Sequence, residues 1–356
     1  MSGSIRTMTV GLLAAVLLMA HPAAAEQKNN FTVAWTTYVG WMPWDYAQRS
    51  GILAKWAGKY GIRIELVRVS NYLDSVNQYA AGRYDACLMT NLEMLTLPAA
   101  RGVDSTAIII GDYSNGNDGV VLKGAGRRLQ EIKGQSVNLV LSSVSDYLLQ
   151  RALQSVSLTE RDVKVVNTSD AEIVRTFASP AVTAAVAWKP QLYDILNQSS
   201  SSLVFDSSRI PGEILDLLVV NTSVLKDNPR LARALTGAWY ETLALMQARG
   251  LRSINALTAM ARASGTDLKG FRSQLDSTYM YWTPAAAVSA ANRSLLQETM
   301  DSVRRFAFQK GLLGPAARTV DAVGIEFPGG KVLGDPRNIQ MRFDTTFMKL
   351  AADGKL

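Results

Sequence analysis

The chain has 356 residues, of which 48% are hydrophobic and 19% are charged. Lysine and arginine (37) outnumber aspartate and glutamate (30), but the basic residues are scattered, which argues against nucleic-acid binding. The single cysteine, Cys87, cannot form an intramolecular disulfide. Its apolar neighbours predict a buried, unreactive thiol.

The start of the chain has the pattern of a secretory signal peptide at residues 1–25. Arg6 precedes an apolar run at 8–20, and small residues follow up to Ala25. The apolar run is shorter than the ~20 residues that a membrane-spanning helix needs. We therefore expect export to the periplasm with cleavage near Ala25. Export would remove His21, the only histidine, which disfavours histidine-based catalysis and histidine ligation of metals.

Strand-like and helical segments alternate in the first part of the mature chain. Pro43 suits the first turn of a helix and Gly61 suits its end. The alternation predicts βαβ units around a parallel sheet. The predicted strands are 31–36, 62–69, 86–90 and 106–110, and the predicted helices are 43–60, 72–81 and 92–100.

A second α/β unit is predicted after the Gly- and Asn-rich stretch 114–117, which is typical of a hinge. A run at 215–220 predicts a strand that returns to the first unit, and the remainder is predicted to be mostly helical, including 229–248 and 285–310. The other predicted strands are 119–122, 136–141, 163–166 and 184–187, with helices at 145–154 and 171–178.

Two stretches resemble periplasmic binding proteins of ABC importers. They are residues 39–53 (VGWMPWDYAQRSGIL) and 84–95 (YDACLMTNLEML). Residues 129–136, 142–149 and 185–190 fall where this group has its second-lobe landmarks. The group includes binding proteins for nitrate, taurine, aliphatic sulfonates and thiamine precursors. Within it, the chain is most similar to the branch associated with urea carboxylase regions.

The resemblance implies an α/β fold of the type II periplasmic-binding-protein class, with two lobes of mixed, mostly parallel sheets and a ligand cleft between them. Lobe I is expected to comprise residues 26–116 and 217–356, and lobe II residues 117–216. The implied partners are a small-molecule solute and the membrane permease of an ABC importer. We expect a monomer that binds no nucleic acid, cofactor or metal.

Candidate cleft residues lie at predicted strand ends, because open α/β sheets bind ligands beyond the carboxyl ends of their strands. Aromatic rings there can cover a planar or cationic solute, although Trp44 can instead pack its helix onto the sheet. Polar residues there either cap helices and turns or accept hydrogen bonds from a ligand. The candidates in the first lobe and at the crossing are Tyr38, Trp41, Trp44, Asp45, Thr90, Asn91, Glu93, Asp112, Asn117 and Asp118.

The predicted second lobe adds candidates of the same kinds. Ser143 and Ser145 lie at the start of a helix, where backbone amides can bind an anion. Asp146 would place a carboxylate beside that position, which would repel an anion and accept N–H groups from a guanidinium or an amide. Trp188 is a candidate aromatic contact, and Asp216, near the return strand, is a further candidate acid.

Aromatics and carboxylates without clustered arginines predict a small nitrogen-rich solute, such as guanidine, urea or a related amidine or amide. Carboxylates accept the paired N–H groups of a guanidinium while a ring covers its face. One alternative is an aliphatic sulfonate, a nitrate-like anion or a pyrimidine precursor, which Arg127, Arg175 or Lys189 would favour if it turned into the cleft. Another is an enzyme on the same fold that uses paired carboxylates as acid and base. We expect binding without catalysis.

Overall fold

Two β-sheets divide the chain into two lobes. The computed structural model describes residues 28–198 and 200–356, so the predicted signal peptide and His21 lie outside the described residues. The strands are, in chain order, β1 (Asn30–Trp35), β2 (Arg63–Arg68), β3 (Ala86–Thr90), β4 (Ser105–Ser114), β5 (Asp118–Lys123), β6 (Ser136–Leu139), β7 (Lys164–Asn167), β8 (Ala184–Trp188), β9 (Ser201–Asp206), β10 (Leu215–Asn221), β11 (Thr278–Met280), β12 (Gly324–Phe327), β13 (Lys331–Leu333) and β14 (Ile339–Phe343).

The helices cover the faces of both sheets. They are α1 (Met42–Arg49), α2 (Ile52–Lys59), α3 (Tyr72–Ala80), α4 (Asn91–Thr96), α5 (Val144–Ser155), α6 (Ile173–Ala178), α7 (Gln191–Gln198), α8 (Thr222–Asp227), α9 (Pro229–Gln247), α10 (Leu251–Ala263), α11 (Leu268–Leu275), α12 (Pro284–Ala291), α13 (Ser294–Gln309) and α14 (Thr346–Ala352). Among the helices described, none is both long enough and apolar enough to cross a membrane.

The larger sheet belongs to lobe I and has the order β13-β12-β14-β4-β10-β3-β1-β2, with β11 added beside β4. Strand β1 is parallel to β2 and β3, whereas β10 is antiparallel to both β3 and β4. The smaller sheet belongs to lobe II and has the order β7-β6-β8-β5-β9. Its strands β6, β7 and β8 are parallel, and β5 is antiparallel to β8 and β9. The predicted α/β fold with mixed sheets in two lobes is confirmed.

The chain crosses between the lobes twice, after β4 and before β10, and these two strands are neighbours in the larger sheet. The predicted return strand is therefore confirmed as β10. The predicted buried thiol is also confirmed: Cys87 on β3 is 0% exposed, and burial raises its pKa to about 12.

Two predicted helices are each divided in the structure. The helix predicted at 43–60 is α1 followed by α2, because Gly51 between them takes a left-handed conformation with a φ of 81°. The helix predicted at 285–310 is α12 followed by α13. Asn292 ends α12, and Arg293 then turns to an extended conformation with a ψ of 151°.

The prediction of a mostly helical remainder is wrong near the C-terminus, where β12, β13 and β14 extend the larger sheet. Strand β14 pairs with β4 in parallel, so that Met341 lies opposite Ser105. The short strand β9 was also not predicted. These strands have three to six residues.

The packing of α9 onto α2 depends on a glycine. A Cβ atom at Gly237 would lie 2.4 Å from Cε3 of Trp56, whose indole N–H donates a 2.7 Å hydrogen bond to Glu241. Gly58 on α2 has no neighbouring atom within 4 Å of the equivalent position.

These glycines form a matched pair for a stability measurement. Gly237→Ala should lower the free energy of unfolding by about 1–3 kcal/mol, because the added methyl group overpacks the contact with Trp56. Gly58→Ala should raise it by about 0.5–1 kcal/mol, because alanine loses less conformational entropy in a helix. Urea denaturation followed by tryptophan fluorescence measures both. Equal effects of the two substitutions would contradict this packing.

Candidate ligand site between the lobes

A small cavity, with about 20 Å³ of free space, lies between the two lobes. The residues that line it are Thr36, Tyr38, Trp41, Tyr72, Thr90, Asp118, Val144, Trp188, Ile214 and Asp216. The structure thus brings together six of the residues predicted from the sequence, namely Tyr38, Trp41, Thr90, Asp118, Trp188 and Asp216.

Aromatic rings form a continuous wall of the cavity. Tyr38 contacts Trp41 with ring centroids 5.3 Å apart, Trp41 contacts Tyr72 at 5.8 Å, and Tyr72 contacts Trp188 at 5.7 Å. Trp188 ends β8 of lobe II, whereas the other three rings belong to lobe I, so the wall spans both lobes. Such rings offer apolar area and an electron-rich face to a bound cation.

The first part of this wall depends on Gly40 in the short 3₁₀ turn after β1. A Cβ atom at this position would lie 2.6 Å from Cε1 of Tyr38 and 2.7 Å from Oδ2 of Asp112. A residue with a side chain would therefore displace either the ring or the carboxylate. The close approach of this turn to β4 requires glycine.

Asp112 on β4 and Asp216 on β10 lie directly opposite each other in the larger sheet. Burial raises the pKa of Asp112 to about 7, and burial together with the neighbouring Asp112 raises the pKa of Asp216 well above its usual value. The Tyr38 hydroxyl donates a 3.3 Å hydrogen bond to Oδ1 of Asp112. Because two adjacent buried carboxylates repel each other, the pair shares a proton.

Asp118, the first residue of β5, is the second carboxyl group in the cavity lining beside Asp216, whereas Asp112 lies behind the lining. Burial raises its pKa to about 7, although the hydroxyl of Ser114 donates a hydrogen bond to it. The nearby Lys189 lowers this pKa in part, while the charge of Glu93 raises it. The ammonium group of Lys189 itself donates to Ser277 at 2.7 Å, and the lysine is not among the described lining residues.

Glu93 on α4 is fully buried and connects the two lobes. Its Oε1 accepts the backbone N–H of Val144, the first residue of α5 in lobe II, at 3.0 Å. Its Oε2 accepts hydrogen bonds from the hydroxyls of Tyr72, at 3.0 Å, and Thr90. Burial raises the pKa of Glu93, and these donors oppose the shift. The carboxylate therefore lies beside the cavity and faces the N-terminus of a helix across the cleft.

Trp44 and Asp45 on α1 lie outside the cavity lining. The ring of Trp44 stacks on Trp239 of α9, with centroids 5.0 Å apart, in the core of lobe I. Asp45 forms an ion pair with Arg49 one turn later on the same helix, at 2.9 Å. Both side chains thus have structural partners.

Asn91 and Asn117 form side-chain hydrogen bonds near the crossings between the lobes. The side-chain oxygen of Asn91 accepts the N–H of Leu215 at 3.0 Å, and its amide group donates to the carbonyl of Glu213 at 3.1 Å. Asn117 donates to the hydroxyl of Tyr38 at 3.1 Å. Neither asparagine lines the cavity, but Asn117 positions a ring that does.

The polar residues at the start of α5 have hydrogen-bond or ion-pair partners within the protein. Oγ of Ser143 accepts the N–H of Ser145 at 3.1 Å and so caps the helix. Asp146 accepts the N–H of Ser142 and forms a 2.9 Å ion pair with Lys310, which follows α13. The Asp146 carboxylate is therefore neutralised by a lysine outside the cavity.

Sequence reasoning missed Thr36, Tyr72, Val144 and Ile214 as lining residues. Tyr72 begins α3, just beyond the carboxyl end of β2. The strand-end rule that selected Tyr38 also applies there and would have found it.

A larger groove lies on the outer side of the crossing strands and has a different character. Leu215 lines this groove, whereas the next residue, Asp216, lines the cleft, because successive strand residues point to opposite faces. Stacked Tyr113 and Tyr279 form part of its wall, and no carboxylate is present among its described lining residues. The buried carboxyl groups of Asp118 and Asp216 line the interlobe cavity instead.

Comparison with known proteins places the chain among two-lobed folds. The sequence matches a family model described as the NMT1-like family over residues 24–259, more than half of the chain. None of the curated proteins compared with the chain matches it.

Three solved structures with this fold are informative. The alkanesulfonate-binding protein of Xanthomonas axonopodis pv. citri bound to MOPS has 14% identity and a TM-score of 0.68, covering 82% of this chain and 96% of that one. A putative periplasmic sulfonate-binding protein of Methylobacillus flagellatus KT has 16% identity and a TM-score of 0.66, covering 92% and 95%. The periplasmic nitrate-binding protein of Synechocystis PCC 6803 has 13% identity and a TM-score of 0.65, covering 92% and 89%. At these identities the likeness concerns the fold.

The buried carboxyl groups predict a pH dependence of stability. The pKa of Asp118 is about 7 in the folded protein and ~4 in the unfolded chain, so between these values the folded state binds more protons and stability falls as the pH rises. Above pH ~7 the contribution of Asp118 is constant.

Asp118→Asn should lose less stability than the wild type between pH 4 and 7, by up to a few kcal/mol, because the titrating group is absent. Asp227→Asn removes the same charge at an exposed position outside the cavity and is the control. Urea denaturation of the ligand-free proteins over this pH range measures the effect. Parallel pH profiles for the wild type and Asp118→Asn would contradict the raised pKa.

Proposed function

Because the chain belongs to the NMT1-like family, we propose that it is the exported solute-binding component of an ABC importer. It captures a small nitrogen-rich solute between its lobes, namely guanidinium, urea or a related amidine or amide, and delivers it to a membrane permease. One observation carries this proposal. Asp118 and Asp216 are buried against an aromatic wall, and no lysine or arginine is among the described residues that line the cavity.

The chemistry of this lining favours a cation with several N–H groups. Carboxylates are costly to bury, and a bound cation offsets that cost. The oxygens of Asp118 and Asp216 can accept hydrogen bonds from a planar N–H donor, while the faces of neighbouring rings stabilise its charge. A neutral amide would donate its N–H groups to the same oxygens when the pair of Asp112 and Asp216 keeps its proton.

Capture is coupled to closure because both lobes contribute to the cavity. Asp118 and Trp188 belong to the smaller sheet, and Asp216 and Tyr38 to lobe I. A solute that contacts all four favours the closed arrangement by its differential affinity. The lobe boundaries are part of this proposal, with the first near residues 116/117 and the second at the start of β10, so that Asp216 lies in lobe I.

Export, a periplasmic location and delivery to a permease are supported by the family and by the names of the structural relatives, which include periplasmic sulfonate- and nitrate-binding proteins. The signal-like segment at residues 1–25 agrees with export. We further propose that the protein acts as a monomer and changes no covalent bond in its solute.

An anion is the second candidate, because the structural relatives include an alkanesulfonate-binding protein bound to MOPS and a nitrate-binding protein. In this chain, however, Arg127 pairs with Glu131 at 2.9 Å and Arg175 with Glu172 at 3.5 Å, away from the cavity lining. The positions of these arginines support the cationic proposal. A pyrimidine precursor would also suit the aromatic wall and belongs among the test ligands.

Isothermal titration at neutral pH tests the proposal directly. Guanidinium, an amidine or urea should bind with a stoichiometry of one, and taurine and nitrate should give no binding heat because the carboxylates repel them. Tight binding of taurine or nitrate without a response to guanidinium would refute the cationic assignment. Chemical change of a bound ligand, followed by NMR, would instead favour an enzyme.

Trp188→Ala should weaken guanidinium binding roughly 10-fold or more, because a desolvated cation–π contact contributes up to about 2 kcal/mol. Trp282→Ala, which removes a tryptophan outside the cavity lining, is the control. Titration calorimetry of both variants gives the comparison. Equal affinity in Trp188→Ala and the wild type would mean that the ring wall is not a ligand contact.

A further inference from the structure

The N-terminus of α5 faces the interlobe cavity and already holds an acceptor from the opposite lobe. The N–H of Val144 donates to Glu93, and the N–H of Ser145 donates to the capping oxygen of Ser143. The next two amides, of Asp146 and Tyr147, donate to the carbonyl of Ser143. All four amides of the first turn thus have partners within the protein. A helix N-terminus otherwise attracts anions through these groups.

We propose that Glu93 is an internal anion that latches the lobes together and determines the charge specificity of the cleft. Its carboxylate occupies the position at which an anionic solute would meet α5, so the closed protein has no place there for a second negative charge. The specificity part of this proposal rests on the proposed function, whereas the latch rests on geometry alone.

The surroundings of Glu93 show why its carboxylate is fixed in this position. The side chain is 0% exposed, and the hydroxyls of Tyr72 and Thr90 donate to Oε2 from lobe I. This leaves Oε1 to accept the N–H of Val144 from lobe II. Opening the cleft would replace that contact by hydrogen bonds to water, so the closed arrangement gains the net free energy of one charge-assisted hydrogen bond.

A second group at the same end of α5 could donate a hydrogen bond to an anion from solution. The hydroxyl of Ser145 is buried and has no hydrogen-bond partner among the described residues. Removal of the Glu93 carboxylate would leave this hydroxyl and the N–H of Val144 available at one end of α5. A small carboxylate from solution could then occupy the space that Glu93 has left.

Chemical rescue of Glu93→Ala tests the proposal. Without ligand, the variant should have a larger radius of gyration in small-angle X-ray scattering than the wild type, and its guanidinium affinity should fall roughly 10- to 100-fold. Sodium formate, with sodium chloride at equal ionic strength as the control, should reverse most of both changes. Formate should not affect the wild type or Glu65→Ala, which removes an exposed glutamate from the same lobe.

Glu93→Gln keeps the shape of the side chain and fills the same space. Its affinity should fall less than that of Glu93→Ala, and formate should not improve it. Wild-type scattering and affinity in Glu93→Gln would overturn the proposal even if Glu93→Ala does not fold. So would a folded Glu93→Ala protein that is unchanged by the substitution or insensitive to formate. If the wild type binds taurine instead of guanidinium, the proposed function fails, but the formate-dependent scattering still decides the latch.

Discussion

Several carboxyl groups are buried between the two lobes, and their burial constrains the centre of the molecule. Asp112, Asp118 and Asp216 are at most 4% exposed, and burial raises the pKa of each. Glu93, also buried, differs because hydroxyl donors and a backbone amide satisfy both of its oxygens. The former three therefore need protons or a cationic partner when the lobes close, whereas Glu93 has its partners in the protein.

The fold supplies this arrangement through the two strands that adjoin the crossings. Strand β10 runs antiparallel beside β4, and this pairing places Asp216 opposite Asp112. Strand β5 starts with Asp118 directly after the first crossing, so the acid of the second lobe lies close to those of the first. The same strand pair adjoins both crossings and carries Asp112 and Asp216, of which Asp216 lines the cavity.

Much of this organisation could be predicted from the sequence because it is local. Strand ends identified Tyr38, Trp41, Asp118, Trp188 and Asp216, all of which line the cavity. The C-terminal strands could not be predicted, because β14 is short and pairs with a strand more than 200 residues earlier. Side-chain contacts between distant segments could not be predicted from the sequence either.

Glu93 and Trp44 illustrate contacts between distant segments that the sequence does not reveal. Nothing near residue 93 in the sequence shows that its carboxylate meets Val144 in the other lobe. Trp44 follows the same strand end as Trp41, but the helical rotation of α1 turns its ring onto Trp239 in the core. The sequence identifies the residue types at the cleft, and tertiary packing decides which of them reach it.

The most direct test of a cation-selective cleft is a crystal structure of the protein equilibrated at neutral pH with guanidinium and taurine together. The account predicts planar density beside Trp188, with nitrogen atoms within hydrogen-bonding distance of the carboxyl oxygens of Asp118 and Asp216. Tetrahedral sulfonate density in the cavity, with Glu93 displaced from the N-terminus of α5, would contradict it.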